Sequence, residues 1–307
     1  MTDEPADQAT NVAKFIREFI TKPQSGHFIE PGLTGGGKTQ GLYYLVDHFS
    51  THTEDTLAWF DTGKSSEILK LAELSSKPIR LLIPDGLDVI LPRHFSAGTI
   101  EKKFFHPLNE VWELLQPKAI NVISLTPFIW EPTTWSSVFA RVFWDLQMRA
   151  HTYDLPVPLD LFVDEMQDIC PSKAIALGGE HYKSGLRVAM NLFKLRSLNT
   201  RFVGATQGWT NICGPARRSF TWIMSRRGAY YERDQSKLFR FNNLFEKLDP
   251  SQAVMCWPNK WFPGIWRLPF YGDGDTLGKV RYHGILEEAP EKKKRKKKKK
   301  DEDEEEE

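Results

Sequence analysis

The sequence predicts an α/β fold in which a mostly parallel sheet is flanked by helices. Short apolar segments of strand character alternate along the chain with segments that carry apolar residues at helical spacing. Such alternation is typical of βαβ units, because two parallel strands need a crossover connection between them. The chain has 307 residues, 40% hydrophobic and 12% aromatic, which is enough for one sizeable core.

The expected elements follow from these patterns. Helices are predicted over residues 12–20, 40–49, 65–74 and 135–150, and strands over 27–29, 56–61, 79–83, 120–125, 159–163 and 201–206. Residues 85–118 have no clear periodicity, so we expect an insertion or lid there, packed by Phe104, Phe105 and Trp112. No internal repeat is found.

A complete G-x-x-x-x-G-K-[ST] motif lies between the first strand and the next helix. Its glycines allow the backbone to wrap a polyphosphate, Lys38 can reach the β- and γ-phosphates, and the Thr39 hydroxyl can ligate Mg²⁺. The following helix adds the positive end of its dipole. A glycine-rich turn that binds nothing is the alternative, but strand, loop and helix is the context the motif requires. The expected phosphate-binding residues are Gly32, Thr34, Gly35, Gly36, Gly37, Lys38 and Thr39.

Two carboxylates follow the apolar strand that begins at Leu159. Strand ends at the carboxyl edge of an open α/β sheet are where such folds bind ligands. We expect Asp164 to hold Mg²⁺ through its water shell and Glu165 to orient and deprotonate an attacking water. A strand that simply exits to solvent is the alternative, and it is less favoured once a phosphate-binding motif stands upstream.

A third strand, from Arg201, ends in Ala-Thr-Gln. If this strand neighbours the strand before the glycine-rich loop, Gln207 could contact the γ-phosphate or the lytic water and sense hydrolysis.

Together these three segments resemble the FtsK–HerA superfamily of DNA-pumping ATPases. That family favours Thr and Gly at the third and fourth loop positions, here Thr34 and Gly35, and ends its second motif in Asp-Glu. The stretch from Arg196 to Gln207 resembles its sensor region, with Asn199 where Gly is usual, a replacement that the left-handed conformation tolerates. Glu30, shortly before the loop, is unusual for the family.

The resemblance implies a RecA-like P-loop NTPase fold, ATP and Mg²⁺ as cofactors, and a homo-hexameric ring acting on double-stranded DNA. The short chain without a membrane segment looks most like the compact viral genome-packaging ATPases, which would place it in the host cytoplasm or virion and dock it on a capsid vertex or a membrane protein. Three alternatives remain: an assembly or secretion ATPase like those of filamentous phages, which generally carry a membrane segment; a nucleotide-switched binding protein; and a cellular rather than viral origin.

Four arginines bracket the strand-like segment 220–224, and they are the candidate contacts to DNA or to a neighbouring subunit's ATP. We expect a Gly-Pro turn at 214–215 to project Arg217 and Arg218, the favoured arginine fingers. Ordinary surface pairing with Glu232 and Asp234 is the alternative. Arg226 and Arg227 are also candidates, and Arg196 is a further one from the preceding helix.

The domain organisation is expected to comprise an N-terminal arm (1–24), an ATPase core (25–245), an aromatic-rich β extension (246–290) and a charged tail (291–307). The aromatic rings of the extension are expected to belong to a packed core more than to form stacking platforms.

The tail ends in nine basic residues followed by seven acidic residues. Without them, residues 1–291 carry 32 basic and 33 acidic residues, a net charge of −1. The tail is a solubilising appendage or an electrostatic tether. Three distant cysteines and eight histidines show no metal-ligand spacing.

Overall fold

The computed structural model describes residues 8–62, 65–93, 95, 100–106, 108–126, 132–234, 236–257, 260–261 and 264–284. The charged tail expected over 291–307, the first seven residues and Phe262 lie outside the described residues, as do the side chains of Trp257 and Trp261.

The centre of the molecule is a mixed, mostly parallel sheet. Its strands, with those of a separate hairpin, are β1 (His27–Pro31), β2 (Thr56–Asp61), β3 (Ile79–Pro84), β4 (Leu87–Ile90), β5 (Ile100–Phe105), β6 (Ile120–Ser124), β7 (Leu159–Val163), β8 (Thr200–Thr206), β9 (Phe220–Ser225), β10 (Gln252–Trp257), β11 (Lys260–Trp261), β12 (Trp266–Arg267) and β13 (Arg281–Gly284).

The order across the sheet is β11-β10-β9-β1-β8-β7-β2-β6-β3-β5, with β12 beside β10. Strands from β9 to β5 in this order are parallel, whereas β10 runs antiparallel to β9, β11 and β12. The predicted α/β fold with a small antiparallel C-terminal extension is therefore confirmed.

Helices cover both faces of the sheet. They are α1 (Gln8–Phe15), α2 (Lys38–His52), α3 (Glu67–Leu74), α4 (Pro132–Thr152), α5 (Met166–Ile169), α6 (Gly179–Ser197), α7 (Gly214–Ser219) and α8 (Asn242–Glu246). One core cluster joins one sheet face to side chains of α1, α2 and α3, and the other joins the opposite face to α4, α5, α6 and α7. Burial of these two apolar layers holds the sheet between the helices.

The N-terminal arm is locked to the amino end of the sheet by a buried arginine. Arg201 donates to the carboxylates of Asp160 (2.6 Å) and Asp55 (2.7 Å), and to the carbonyl oxygens of Phe19 and Ile20 at 2.7 and 3.2 Å. Burial raises the pKa of Asp160 to about 7, against the Arg201 charge that lowers it. The arrangement fixes the starts of β7 and β8 side by side.

Residues 85–118 contain more regular structure than the sequence predicted. They form β4, which pairs with β13, and β5, which joins the main sheet in parallel beside β3. Strand β5 was missed because it reads Ile-Glu-Lys-Lys-Phe-Phe, and such charged residues mark a sheet edge rather than an apolar strand. Asn199 does adopt the left-handed conformation expected of it, with φ of 55°.

The described helices include none long and apolar enough to cross a bilayer.

Candidate functional site

Three predicted motifs meet because three strand ends meet. Strand β8 pairs in parallel with both β1 and β7, so that Pro31 stands opposite Thr206 and Val163 opposite Gly204. The segments that follow these strands are the glycine-rich loop, Asp164-Glu165 and Gln207. All three segments therefore emerge at the carboxyl edge of adjacent strands. The strand that ends before Gln207 (β8) lies beside the strand that ends before the loop (β1), as expected.

The loop needs its glycines for shape. Gly35 and Gly37 have φ of 74° and 84°, in the left-handed region that other residues rarely adopt. A Cβ on Gly37 would also clash with the Pro250 carbonyl oxygen. The loop is attached to β8 at its start, because the Gly32 amide donates to the Thr206 carbonyl at 3.1 Å. A turn within the loop is closed by the Gly36 amide, which donates to the Leu33 carbonyl at 2.9 Å.

Lys38 and Thr39 begin helix α2 directly after the loop. The Lys38 side chain is only 8% exposed, and its Nζ donates to the Leu33 carbonyl at 3.1 Å, which folds the lysine over the loop. The Thr39 hydroxyl donates to Oδ2 of Asp164 at 3.2 Å. A hydroxyl and a carboxylate oxygen are the hard ligands that Mg²⁺ prefers, so this pair fits a magnesium site.

The described residues hold no cluster of three His, Cys, Asp or Glu side chains placed for a metal. Mg²⁺ does not require one, because it keeps several waters and is commonly held by one or two carboxylates together with substrate phosphates.

Glu165 is held by two glutamines. Its Oε1 accepts from Nε2 of Gln207 at 3.5 Å, and its Oε2 accepts from Nε2 of Gln167. Oε1 of Gln167 in turn accepts from the Gln207 backbone amide at 3.3 Å. The carboxylate expected to act as a base is thus joined to the expected sensor. Sequence reasoning missed Gln167, whose position two residues after Glu165 carries no motif.

Behind the loop lies a buried ion pair that sequence reasoning did not predict. Glu30 and Arg226 are both fully buried, with Arg226 Nε 3.1 Å from Glu30 Oε1. Arg226 also donates to the carbonyl oxygens of Gly36 (3.2 Å), Gly37 (2.8 Å) and Pro250 (2.6 Å). Burial raises the pKa of Glu30 to about 8, although the Arg226 charge lowers it. The sequence feature that could have indicated this ion pair is Glu30 itself, because it is a charged residue in an apolar strand.

These residues surround a cavity of about 600 Å³, which we call the P-loop cavity. Its lining comes from the loop and the first turn of α2, from Glu165 and Arg226, and from Pro250, Ser251 and residues of the segment 268–273. The volume lies within the range of small-molecule sites.

Arg217 and Arg218 do not reach this cavity. Gly214 and Pro215 begin helix α7, so the predicted Gly-Pro turn is wrong. Because Phe220 directly after α7 pairs with His27 at the start of β1, the two arginines lie toward the amino edge, about 16 Å from the loop by the length of β1. They line a second cavity with Asp234. Burial lowers the pKa of Arg217, and the charge of Glu232 opposes the shift.

Comparisons with known proteins find similarity among solved structures. One is the genome packaging NTPase B204 from Sulfolobus turreted icosahedral virus 2 in complex with AMP, at 11% identity and a TM-score of 0.49, covering 81% of this chain and 98% of that one. Another is EccC (ATPases 2 and 3) of Thermomonospora curvata with a signal sequence peptide, at 13% identity and a TM-score of 0.38, covering 80% and 38%.

A third is the pCW3 conjugation coupling protein TcpA with ATPγS, at 11% identity and a TM-score of 0.39, covering 83% of this chain and 62% of that one. No family model matches the sequence, and no curated protein matches it. At identities of 11–13% and TM-scores below 0.5, these similarities assign no activity to this chain.

Proposed function

We propose that this chain is an ATP-driven translocase of double-stranded DNA that packages a viral genome. One observation carries the ATPase part: the Thr39–Asp164 contact and the Glu165–Gln207 contact lie at the same P-loop cavity. A phosphate-binding loop, a magnesium-competent pair, a base and a sensor are the parts that phosphoryl transfer needs together.

Different residues are proposed to bind the phosphate oxygens and the Mg²⁺ ion. Backbone amides of the loop and the amino end of α2 attract the phosphate oxygens, and Lys38 supplies a mobile positive charge beside them. Thr39 and Asp164 would hold Mg²⁺, which when bound neutralises negative charge on the phosphate oxygens. The Arg226 clamp on two loop carbonyls keeps the loop in its binding shape before the nucleotide arrives.

Hydrolysis requires a base beside the γ-phosphate. Glu165 is the candidate, because it directly follows Asp164 and lines the cavity wall. Its carboxylate would take a proton from the attacking water and hold that water in line. Gln207 bonds the same carboxylate, so a change in its position on hydrolysis would move the segment after β8.

The DNA and ring parts of the proposal come from the sequence resemblance, and the position of two arginines supports them. A finger that acts on a neighbour's ATP must lie away from its own chain's loop. Arg217 and Arg218 lie at the amino edge of the sheet, whereas the loop lies at the carboxyl edge. A finger role for these arginines would therefore have to act on the ATP of another subunit.

The test is ATP hydrolysis measured with no nucleic acid, with double-stranded DNA and with single-stranded DNA of equal length. The proposal expects turnover that double-stranded DNA stimulates, and native mass spectrometry that detects a hexamer with ATP and DNA. Very slow turnover unaffected by DNA would identify a nucleotide switch instead. Fast turnover indifferent to DNA would favour an assembly or secretion ATPase. Glu165→Gln protein serves as the control for contaminating ATPases.

A further inference from the structure

Part of the lining of the P-loop cavity comes from the C-terminal extension. Within a few residues after the start of β12, the side chains change from buried in the core to exposed at the cavity. Trp266 and Leu268 are 1% and 5% exposed, whereas Phe270 is 74% exposed although its ring is large and apolar. Phe270 lines the cavity together with Leu268 and Pro269. The expectation that Phe270 belongs to a packed core is therefore wrong.

This wall segment, residues 268–273, is attached to the helix that follows the phosphate-binding loop. Gln40 stands next to Thr39, and its Nε2 donates to the Gly272 carbonyl at 2.9 Å while its Oε1 accepts from the Tyr271 amide at 2.8 Å. About two turns further along α2, Asp47 accepts from the Tyr271 hydroxyl at 2.9 Å. The segment cannot shift without breaking these bonds, so its distance from the phosphate end is fixed.

The two walls differ in chemistry. The loop wall presents amides, Lys38 and the Thr39 hydroxyl, which suit a polyphosphate. The wall segment and the neighbouring Pro250 present mostly apolar surface with one exposed ring, together with the carboxylate of Asp273 at the end of the segment. A nucleoside triphosphate has the same division, with a charged chain at one end and a flat, weakly polar base at the other.

We propose that the wall segment is the base subsite of the nucleotide, with Phe270 as the ring on which the base stacks and Gln40 as the residue that positions the segment. The proposal rests on the proposed function, since it assumes that the P-loop cavity takes a nucleoside triphosphate. Stacking on an aromatic ring is tolerant of base identity because every base presents a π face. The subsite therefore adds affinity for a nucleoside without selecting strongly among bases.

The test compares two ligands, ATP and inorganic triphosphate, by isothermal titration calorimetry in the presence of Mg²⁺. Inorganic triphosphate has the phosphates but no base. Phe270→Ala is expected to weaken ATP binding about tenfold or more and to leave triphosphate binding within about twofold. Phe270→Trp is expected to retain ATP affinity. The matched control is Phe193→Ala, since Phe193 is 56% exposed on α6, away from the cavity lining.

Gln40→Ala tests the positioning role. It is expected to weaken ATP more than triphosphate and to speed amide hydrogen exchange over 268–273 in the ligand-free protein, a readout that a simple loss of stability at distant segments would not reproduce.

Three results would overturn the proposal. Unchanged ATP affinity of the Phe270→Ala protein would remove the ring from the site. Equal weakening of ATP and triphosphate binding would indicate a general disturbance of the cavity. If the wild-type protein binds neither ligand, the proposed ATPase function fails and the base subsite falls with it.

Discussion

The Arg226 guanidinium lies 3.1 Å from the Glu30 carboxylate, and the pair is buried directly behind the phosphate-binding loop. Arg226 reaches past Glu30 to the carbonyl oxygens of Gly36 and Gly37. The loop is thus braced from inside the protein by a charge that solvent does not screen. Without Arg226, burial would keep Glu30 protonated, and the carbonyl oxygens of Gly36, Gly37 and Pro250 would lose a charged donor inside the protein, which is costly.

Arg226→Ala should therefore lower the free energy of unfolding by about 3 kcal/mol or more and weaken nucleotide binding through the unsupported loop. Urea unfolding and a fluorescent ATP analogue measure the two effects. Arg227→Ala is the matched control, because Arg227 is exposed and contributes its backbone carbonyl to the Leu33 amide. Equal stability of the two variants would contradict the bracing role.

A buried histidine makes stability sensitive to acid. His27 Nδ1 accepts from the Phe202 amide at 2.9 Å, and Nε2 lies 2.6 Å from the Leu192 carbonyl oxygen, so the ring is held in its neutral form. The pKa of His27 is lowered to about 4, mainly by burial and also by the charges of Arg196 and Arg201, although the hydrogen bond to Leu192 raises it. A second proton would point at the Phe202 amide hydrogen.

The unfolded chain takes up this proton below about pH 6.5, but the native protein does so only near pH 4. The stabilisation is therefore complete above pH 6.5 and is lost as the pH falls toward 4. Between pH 7 and pH 5 the wild-type protein should lose about 2 kcal/mol through His27 alone. The glutamine in His27→Gln cannot be protonated, so urea unfolding of this variant should show a loss of unfolding free energy between pH 7 and pH 5 that is smaller by this amount. His151 is exposed, and His151→Gln should lose as much as the wild type. Parallel pH curves for wild type and His27→Gln would exclude the effect.

Lys38 and Glu165 should separate nucleotide binding from hydrolysis. Lys38→Ala removes the cation folded over the loop, so ATP affinity should fall by tenfold or more, about the strength of one charge-assisted contact. Glu165→Gln keeps the shape but cannot take a proton, so ATP should bind normally and turnover should fall at least about a hundredfold. Equilibrium binding and phosphate release measure the two. Wild-type turnover by Glu165→Gln would show that another group is the base.

The motifs were predictable because each follows an apolar strand, and ends of parallel strands share one edge. Gly32–Thr39, Asp164 and Gln207 could thus be grouped before the structure was known. Arg226 could not, because its bonds to the loop join residues 190 positions apart and depend on β9 lying beside β1. Phe270 was misjudged for a related reason: an aromatic-rich segment indicates packing, and only the fold reveals which ring is left exposed.

A mixing experiment tests whether Arg217 or Arg218 acts on a neighbour. Arg217→Ala or Arg218→Ala protein lacks the proposed finger but has an intact loop, and Lys38→Ala protein has the reverse. Each alone should be inactive, with an arginine finger worth ~10³ or more in rate. Combined, they should recover ATP hydrolysis, because one subunit's arginine completes the other's site. Normal hydrolysis by the arginine variants, with weaker DNA binding, would instead place these residues on the DNA path.

Displacement of a third strand from duplex DNA tests the central claim most directly. A linear duplex carries a fluorescent triplex-forming strand at one end, and its release is followed after ATP is added. A translocase should release the strand with ATP and wild-type protein, and should fail to do so with Glu165→Gln or without ATP. No release by a wild-type protein that hydrolyses ATP on the same DNA would contradict the account, since hydrolysis would then not be coupled to movement.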